Sequence, residues 1–257
     1  MENTNLINST GEASKMSREE WPTECHRLFE LNELPCSDSL AEKLYLLTER
    51  MLEVNKTMNL TAIKDEKAVI LRHYVDSLKI SAHIPEGASV IDVGCGAGFP
   101  SLPLALARPD LKIVALDGTA KRIRYVAETA EMLGATNLTA IAGRAEEYAM
   151  MPEYREKFDV VTARAVAALP VLCELCVPFA RLGGQMIAMK SQQAEEELGA
   201  AQNCIKLCGG VVVDKLPCSL TADGVEIEER KLIFIEKRSH TPRIYPRHFS
   251  KISKKPL

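Results

Sequence analysis

Val90-Ile91-Asp92-Val93-Gly94-Cys95-Gly96-Ala97-Gly98-Phe99-Pro100 is the stretch that decides the fold. An apolar run ends in an acid, three glycines follow at alternate positions, and a segment of helical character comes after them. A buried strand that turns sharply into a helix needs this chemistry. Glycine accepts positive φ and lets a ligand approach the backbone, and the helix start beyond it offers unpaired N–H groups. The stretch is therefore the expected seat of a nucleotide-like cofactor.

Outward from this loop, the chain after Pro85 alternates. Strands are expected at Val90–Val93, Lys112–Leu116, Leu138–Ala142, Val160–Ala163, Met186–Met189, Val211–Leu216 and Lys231–Glu236. Helical stretches such as Ala120–Leu133 and Leu169–Ala180 separate most of them, which implies a parallel, doubly wound sheet with right-handed crossovers. No helix fits between the last two strands. Thr221-Ala222-Asp223-Gly224 reads as a turn that pairs them antiparallel. Seven strands with the last antiparallel is the Rossmann-like α/β pattern of class I methyltransferases. Upstream, helices are expected over Trp21–Leu34, from a capping box at Ser39 and Glu42 through Val54, and from Asp65 to His83. The expected organisation is a disordered stretch 1–17, a helical cap 18–84, a catalytic domain 85–240 and a basic tail 241–257.

Composition sets the outer bounds. The chain has 257 residues, of which 46% are hydrophobic and 26% charged, as in an ordinary globular protein. No apolar run approaches the roughly 18 residues of a membrane span, and the polar N-terminus has no signal-peptide core. The expected location is therefore the cytoplasm, with the eight cysteines as reduced thiols. Cys173 and Cys176 sit in an apolar helical run and read as core residues, so no metal site is expected. The net charge of −3 gives no sign of a nucleic-acid partner, yet Lys237 to Leu257 holds seven Lys or Arg and no acid. Such a strip can bind phosphates whatever the global sum.

Which cofactor the loop holds follows from charge. In an open α/β sheet ligands bind beyond the carboxyl ends of the strands. Asp117, ending the second strand, is placed to accept from ribose hydroxyls. The loop reads Gly-x-Gly-x-Gly with Asp92 two residues before it. That acid would repel a pyrophosphate but suits the cationic end of S-adenosylmethionine. After the third strand, Ala145 and Glu146 are placed to meet an adenine edge. After the fourth strand, Thr162-Ala163-Arg164-Ala165 lacks the Asn/Asp-Pro-Pro-aromatic motif of amine methylation. Pro217-Cys218 lies away from the site, which argues against a thiolate nucleophile. A transfer that needs alignment rather than a base fits guanine N7, whose lone pair is already free. Arg164 cannot stabilise a ring that becomes positive, so it should hold cofactor, phosphate or guanine O6.

At these residues the chain resembles the RsmG (GidB) family of bacterial 16S rRNA methyltransferases. The matching pieces are Asn59-Leu60-Thr61-Ala62-Ile63, Arg72-His73-x-x-Asp76-Ser77-Leu78, the glycine loop through Pro100, Asp117, Lys121-Arg122, Arg144-Ala145-Glu146, Ala163-Arg164-Ala165 and Lys190. The tail pieces Thr241-Pro242-x-x-Tyr245-Pro246-Arg247 and Lys254-Lys255-Pro256-Leu257 match its Gram-positive branch. Ser101, Val54 and Ser250 depart from common residues of the family without removing a cofactor ligand. The resemblance implies N7 methylation of a guanine in the 530 loop of small-subunit rRNA, on 16S rRNA or the 30S subunit; a monomer is the default expectation. It implies cofactor contacts at Gly94, Phe99, Ala145, Glu146 and Arg164, beside Asp92, Gly96, Gly98 and Asp117 from the loop chemistry above, and the reaction centre is expected at Arg164 and Lys190. RNA contacts are expected from Arg72, His73, Lys121, Arg122, Arg124, Arg243, Arg247, Lys254 and Lys255. Two alternatives stand beside this reading: a nicotinamide oxidoreductase on the same sheet, and a non-catalytic RNA-binding protein.

Overall fold

The computed structural model describes residues 15–191 and 193–257. Strand β1 (Ser89–Val93) runs through the centre because its side chains serve two apolar layers: Val90 faces one, Ile91 and Val93 the other. Around it lie β2 (Lys112–Asp117), β3 (Leu138–Ala142), β4 (Phe158–Arg164), β5 (Ala180–Lys190), β6 (Gly210–Pro217) and β9 (Lys231–Lys237). The sheet order is β3-β2-β1-β4-β5-β9-β6, parallel except for β9, which pairs antiparallel with both neighbours. The expected seven-stranded Rossmann-like sheet is therefore present.

The turn at 221–224 belongs to a different hairpin from the one expected. Asp223 and Gly224 both have positive φ, the two-residue turn that joins β7 (Leu220–Ala222) to β8 (Val225–Glu228) in a small separate sheet. That hairpin docks on the end of α1 (Glu20–Leu31), where buried Asn32 mimics a strand edge. It accepts the Thr221 N–H at 2.9 Å and donates to the Thr221 carbonyl at 2.8 Å.

The N-terminal helices cover one face of the sheet and share its core. Trp21, Leu44 and Tyr74 pack in one cluster with Val90, Leu102 of α4 (Ser101–Ala107) and Val126 of α5 (Ala120–Met132). Helix α2 (Asp38–Met58) starts one turn edge earlier than expected. Its cap is Ser37, whose hydroxyl accepts from Leu40 N–H, while Glu42 pairs with Arg18 instead. The third helix, α3, spans 66–78 rather than reaching His83, which lies in a separate 3-10 turn. It is π-helical over Ile70–Val75. Of the stretch 1–17, residues 1–14 lie outside the described residues. Ser17 caps the entry to α1 through the Glu20 and Trp21 amides.

The opposite face carries α6 (Ala145–Tyr148), α7 (Leu169–Cys176), α8 (Ala194–Leu207) and, from the tail, α9 (Phe249–Lys254). Cys173 and Cys176 are buried within α7. The tail is anchored rather than free. Ile252 is fully buried, and Arg247 grips the fully buried Glu174 of α7 through Nε at 2.8 Å and Nη2 at 2.6 Å. Arg155 donates to the Thr241 and Tyr245 carbonyls. Lys237 is buried too, between Glu156 and the Val177 carbonyl. Arg247 was expected to contact RNA; its guanidinium is instead the counter-ion of Glu174, because a carboxylate without water needs one.

Removing that guanidinium strands a buried carboxylate. Arg247→Ala is expected to cost about 3–5 kcal/mol of folding free energy in urea unfolding. Arg243→Ala, exposed in the same tail, should stay within about 0.5 kcal/mol of the parent chain.

Candidate active site

The glycine loop is shaped by close approach. The Gly94 and Cys95 N–H groups donate to the Leu116 carbonyl at 2.7 and 3.1 Å, folding the loop back on β2. A Cβ on Gly94 would lie 2.6 Å from a Val166 methyl, and one on Gly98 would lie 2.5 Å from Leu102; both residues also have positive φ. Gly96 donates its N–H to Asp117 Oδ2 at 3.0 Å, and Asp117 Oδ1 accepts from Thr119 N–H at 2.8 Å. Each oxygen keeps lone pairs for a further donor.

Asp92 lies beneath this loop, not in it. It is fully buried, lines none of the clefts described below, and accepts the Ser101 N–H at 3.2 Å. Burial pushes its carboxyl up to about 7, against the opposing pull of the Ser101 hydroxyl and amide and of Arg164. The acid ties β1 to α4 and sits where the loop pivots. A direct role at a cationic ligand, expected from the sequence, does not match this placement.

Three clefts adjoin along the carboxyl ends of the strands. The first, about 240 Å³, is lined by Leu116, Asp117, Thr119, Ala145, Glu146, Val166 and Phe249. The second, about 350 Å³, is lined by Gly94, Gly96, Phe99, Asp117, Arg122 and Arg164. Gly94, Asp117 and Val166 are common to both. The third, about 340 Å³, holds Arg72, Asp76, Met189, Lys190, Ser191 and Arg230. His73, Arg164 and Ala165 form its shared wall with the second. A nucleoside-shaped group fits the first two, which offer a flat apolar end, a carboxylate and the first-turn amides of α6.

Arg164 is the fixed point of the wall. Its Nη1 donates to Asp76 Oδ2 and to the Arg72 carbonyl, both at 2.8 Å, and its Nη2 lies 3.5 Å from His73 Nδ1. Asp76 also faces Arg230 at 3.3 Å. His73 stacks on Phe99 with centroids 4.5 Å apart, and the Arg164 guanidinium lies over the same ring at 5.4 Å. Burial first, then Arg164, depress the His73 imidazole to about 3, so it is neutral. An Arg nitrogen can only donate, so Nδ1 accepts and Nε2 carries the hydrogen, which it donates to Thr61 Oγ1 at 2.8 Å. Ala165, next in the chain, adopts φ 54 and so returns Val166 over Gly94. Lys190 is held between Glu197 at 2.6 Å and the Ala167 carbonyl at 2.9 Å.

The expected RNA contacts therefore divide. Lys121, Arg124, Arg243, Lys254 and Lys255 are exposed, Arg122 lines the second cleft and Arg72 the third, where its Nε lies 2.5 Å from Glu228. His73 is buried and uncharged, so it is a wall of the clefts and not a phosphate contact. Sequence reasoning missed Phe249, Val166, Arg230 and the Thr61 hydrogen bond. Only Thr61 stood in a motif singled out beforehand.

Residues 40–224 match the family described as rRNA small subunit methyltransferase G. Ribosomal RNA small subunit methyltransferase G of Deinococcus deserti is 42% identical over 229 residues, 88% of this chain and 91% of that protein. The protein of the same name from Halalkalibacterium halodurans is 43% identical over 80% of this chain and 87% of its own length. Among solved structures, TYW2 of M. jannaschii in complex with AdoMet superposes with a TM-score of 0.50 at 14% identity, covering 63% of this chain and 76% of that one. That likeness concerns the fold.

Two titrations test the site's electrostatics. Between about pH 4 and about pH 7 the folded chain holds a proton on Asp92 that the unfolded chain has released, so stability falls as pH rises through this window. The loss should be on the order of 2–3 kcal/mol between about pH 5 and about pH 8, and Asp92→Asn should remove it; parallel pH profiles for the two chains would contradict the assignment. The His73 imidazole should show no titration in its NMR shifts between about pH 5 and about pH 8, with its hydrogen on Nε2 throughout.

Proposed function

The chain belongs to the rRNA small subunit methyltransferase G family, and we propose that it transfers a methyl group from S-adenosylmethionine to N7 of a guanine in the 530 loop of 16S rRNA. Family membership sets aside the oxidoreductase and the non-catalytic alternatives. The observation that carries the reading is the wall of His73, Arg164 and Ala165. It separates a nucleoside-shaped pair of clefts from a cationic third cleft, and no free carboxylate or imidazole stands among the described residues lining that third cleft. Its one carboxylate, Asp76, is held by two guanidiniums, and His73 has both ring nitrogens engaged.

S-adenosylmethionine supplies an electrophilic methyl on a sulfonium. Asp117 would hold the ribose hydroxyls, the Ala145 and Glu146 amides the adenine edge, and the loop from Gly94 to Gly96 the amino-acid end. In the third cleft, Ile63 and Met189 provide apolar surface. Arg72, Lys190 and Arg230 supply positive charge for a nucleotide turned out of its stack. Guanine N7 needs no proton removed, so a cleft without a base is adequate and alignment carries the rate. Arg164 suits guanine O6 beside N7, because its guanidinium is fixed before the base arrives. The RNA partner in this reading is 16S rRNA within the 30S subunit or its assembly intermediate, the location is the cytoplasm, and the chain acts as a monomer. Among the described residues, no helix is long and apolar enough to cross a membrane.

The direct test uses 30S subunits from a strain lacking this protein, methyl-labelled S-adenosylmethionine, and chain cleavage at N7-methylguanine. Label at a single 530-loop guanine is the expected result; label elsewhere, or none with cofactor bound, would overturn the substrate. Arg164→Ala should lower turnover roughly 100-fold, the cost of a misplaced reactant, while Asp117→Ala should chiefly weaken cofactor binding.

A further inference from the structure

We infer that Phe249, delivered by the C-terminal tail, walls the subsite that takes the adenine ring of the methyl donor; the inference rests on the methyl-donor reading above. Phe249 lines the first cleft together with Asp117, Ala145 and Glu146. It comes from a stretch 103 residues beyond Glu146, yet its N–H donates to Glu146 Oε1 at 3.3 Å. Its ring lies 4.8 Å from the Arg144 guanidinium. That guanidinium also reaches Gly118, where a Cβ would stand 3.3 Å from Nη1. An aromatic ring and a guanidinium plane thus converge beside the ribose-binding carboxylate. The guanidinium lies over one face of the ring, which leaves the rest of the ring to line the cleft as an aromatic surface on which purines stack.

Phe249 is half-buried against the same apolar layer as Ile252, so its ring both packs the tail and lines the cleft. Ile252 supplies the buried apolar contact of α9, and Arg247 with Glu174 supplies the ionic one. Those two anchors fix the ring before any ligand arrives, so stacking on it costs little ordering. The tail is therefore part of the cofactor site, and its cations divide between an anchor, Arg247, and an exposed outer surface.

The test is calorimetry on the full-length chain with S-adenosylhomocysteine and with adenosine. Phe249→Ala should weaken both about tenfold, as loss of one stacked ring does. Phe249→Trp should stay within about threefold of the parent affinity, since it keeps an aromatic face, and its emission should change as S-adenosylhomocysteine saturates. Trp21, the only native tryptophan, is fully buried in the core shared with the N-terminal helices and supplies the baseline. Phe249→Leu keeps an apolar side chain for the packing of α9 but loses the aromatic face, so it should weaken both ligands about as much as Phe249→Ala. Unchanged affinity in Phe249→Ala, near-parent affinity in Phe249→Leu, or unmoved emission at saturation would each overturn the inference alone. A parent chain that binds neither ligand would overturn the methyl-donor reading and this inference with it.

Discussion

The Arg164–Asp76 ion pair is the joint on which the rest of the site depends. Both side chains are largely withdrawn from water, at 14% and 7% exposure. A pair in that setting gains little net stability over apolar residues, and breaking it leaves an uncompensated charge. Its value lies in position. Arg164 ends β4, Asp76 ends the π-helical turn of α3, and the Arg72 carbonyl takes the same guanidinium. The helices that cover the sheet are therefore fixed to it at the point where the second and third clefts meet.

From this joint a chain of hydrogen bonds runs into the N-terminal helices. Asn55 of α2 clasps Thr61 through both its N–H and its carbonyl, at 2.9 and 2.8 Å. Thr61 takes the His73 hydrogen, and His73 takes one from Arg164. The wider i→i+5 turn lets His73 and Asp76 both address Arg164, where an ordinary α-helical turn would have set them facing each other. A π-turn of this kind often marks a functional site, and here it places two neighbouring side chains of one helix on one guanidinium.

What could be read from the sequence was what periodicity and glycine chemistry encode. Val90–Phe99, the seven main strands and the acid at Asp117 follow from alternation, burial and the tight turn at Gly94. What stayed hidden depends on the path of the chain in space. Ser39 with Glu42 makes the capping box on paper, and only the observed start of α2 shows that Ser37 caps instead. Asp223-Gly224 was rightly a turn, but the insertion that carries it forms a hairpin of its own because Asn32 offers it an edge. Charge counting cannot tell Arg247, consumed by Glu174, from Lys254 beside it in the tail. His73 looks cationic until its burial is known. Phe249 has no local signal, since its neighbours at the cleft are distant in the chain.

The sheet order has a bearing on how the molecule is made. Strand β9 lies between β5 and β6 although it follows both in the chain. Until it has been synthesised, β5 and β6 each present an unpaired edge to the surroundings, and Glu174 waits for a guanidinium that arrives later still. Synthesis from the N-terminus can therefore build the layer around β1 early but cannot close the sheet until Lys237 has been made. A chain cut before Lys231 should accordingly behave as a complete loss, with open edges that invite aggregation and proteolysis, and not as a protein merely shortened.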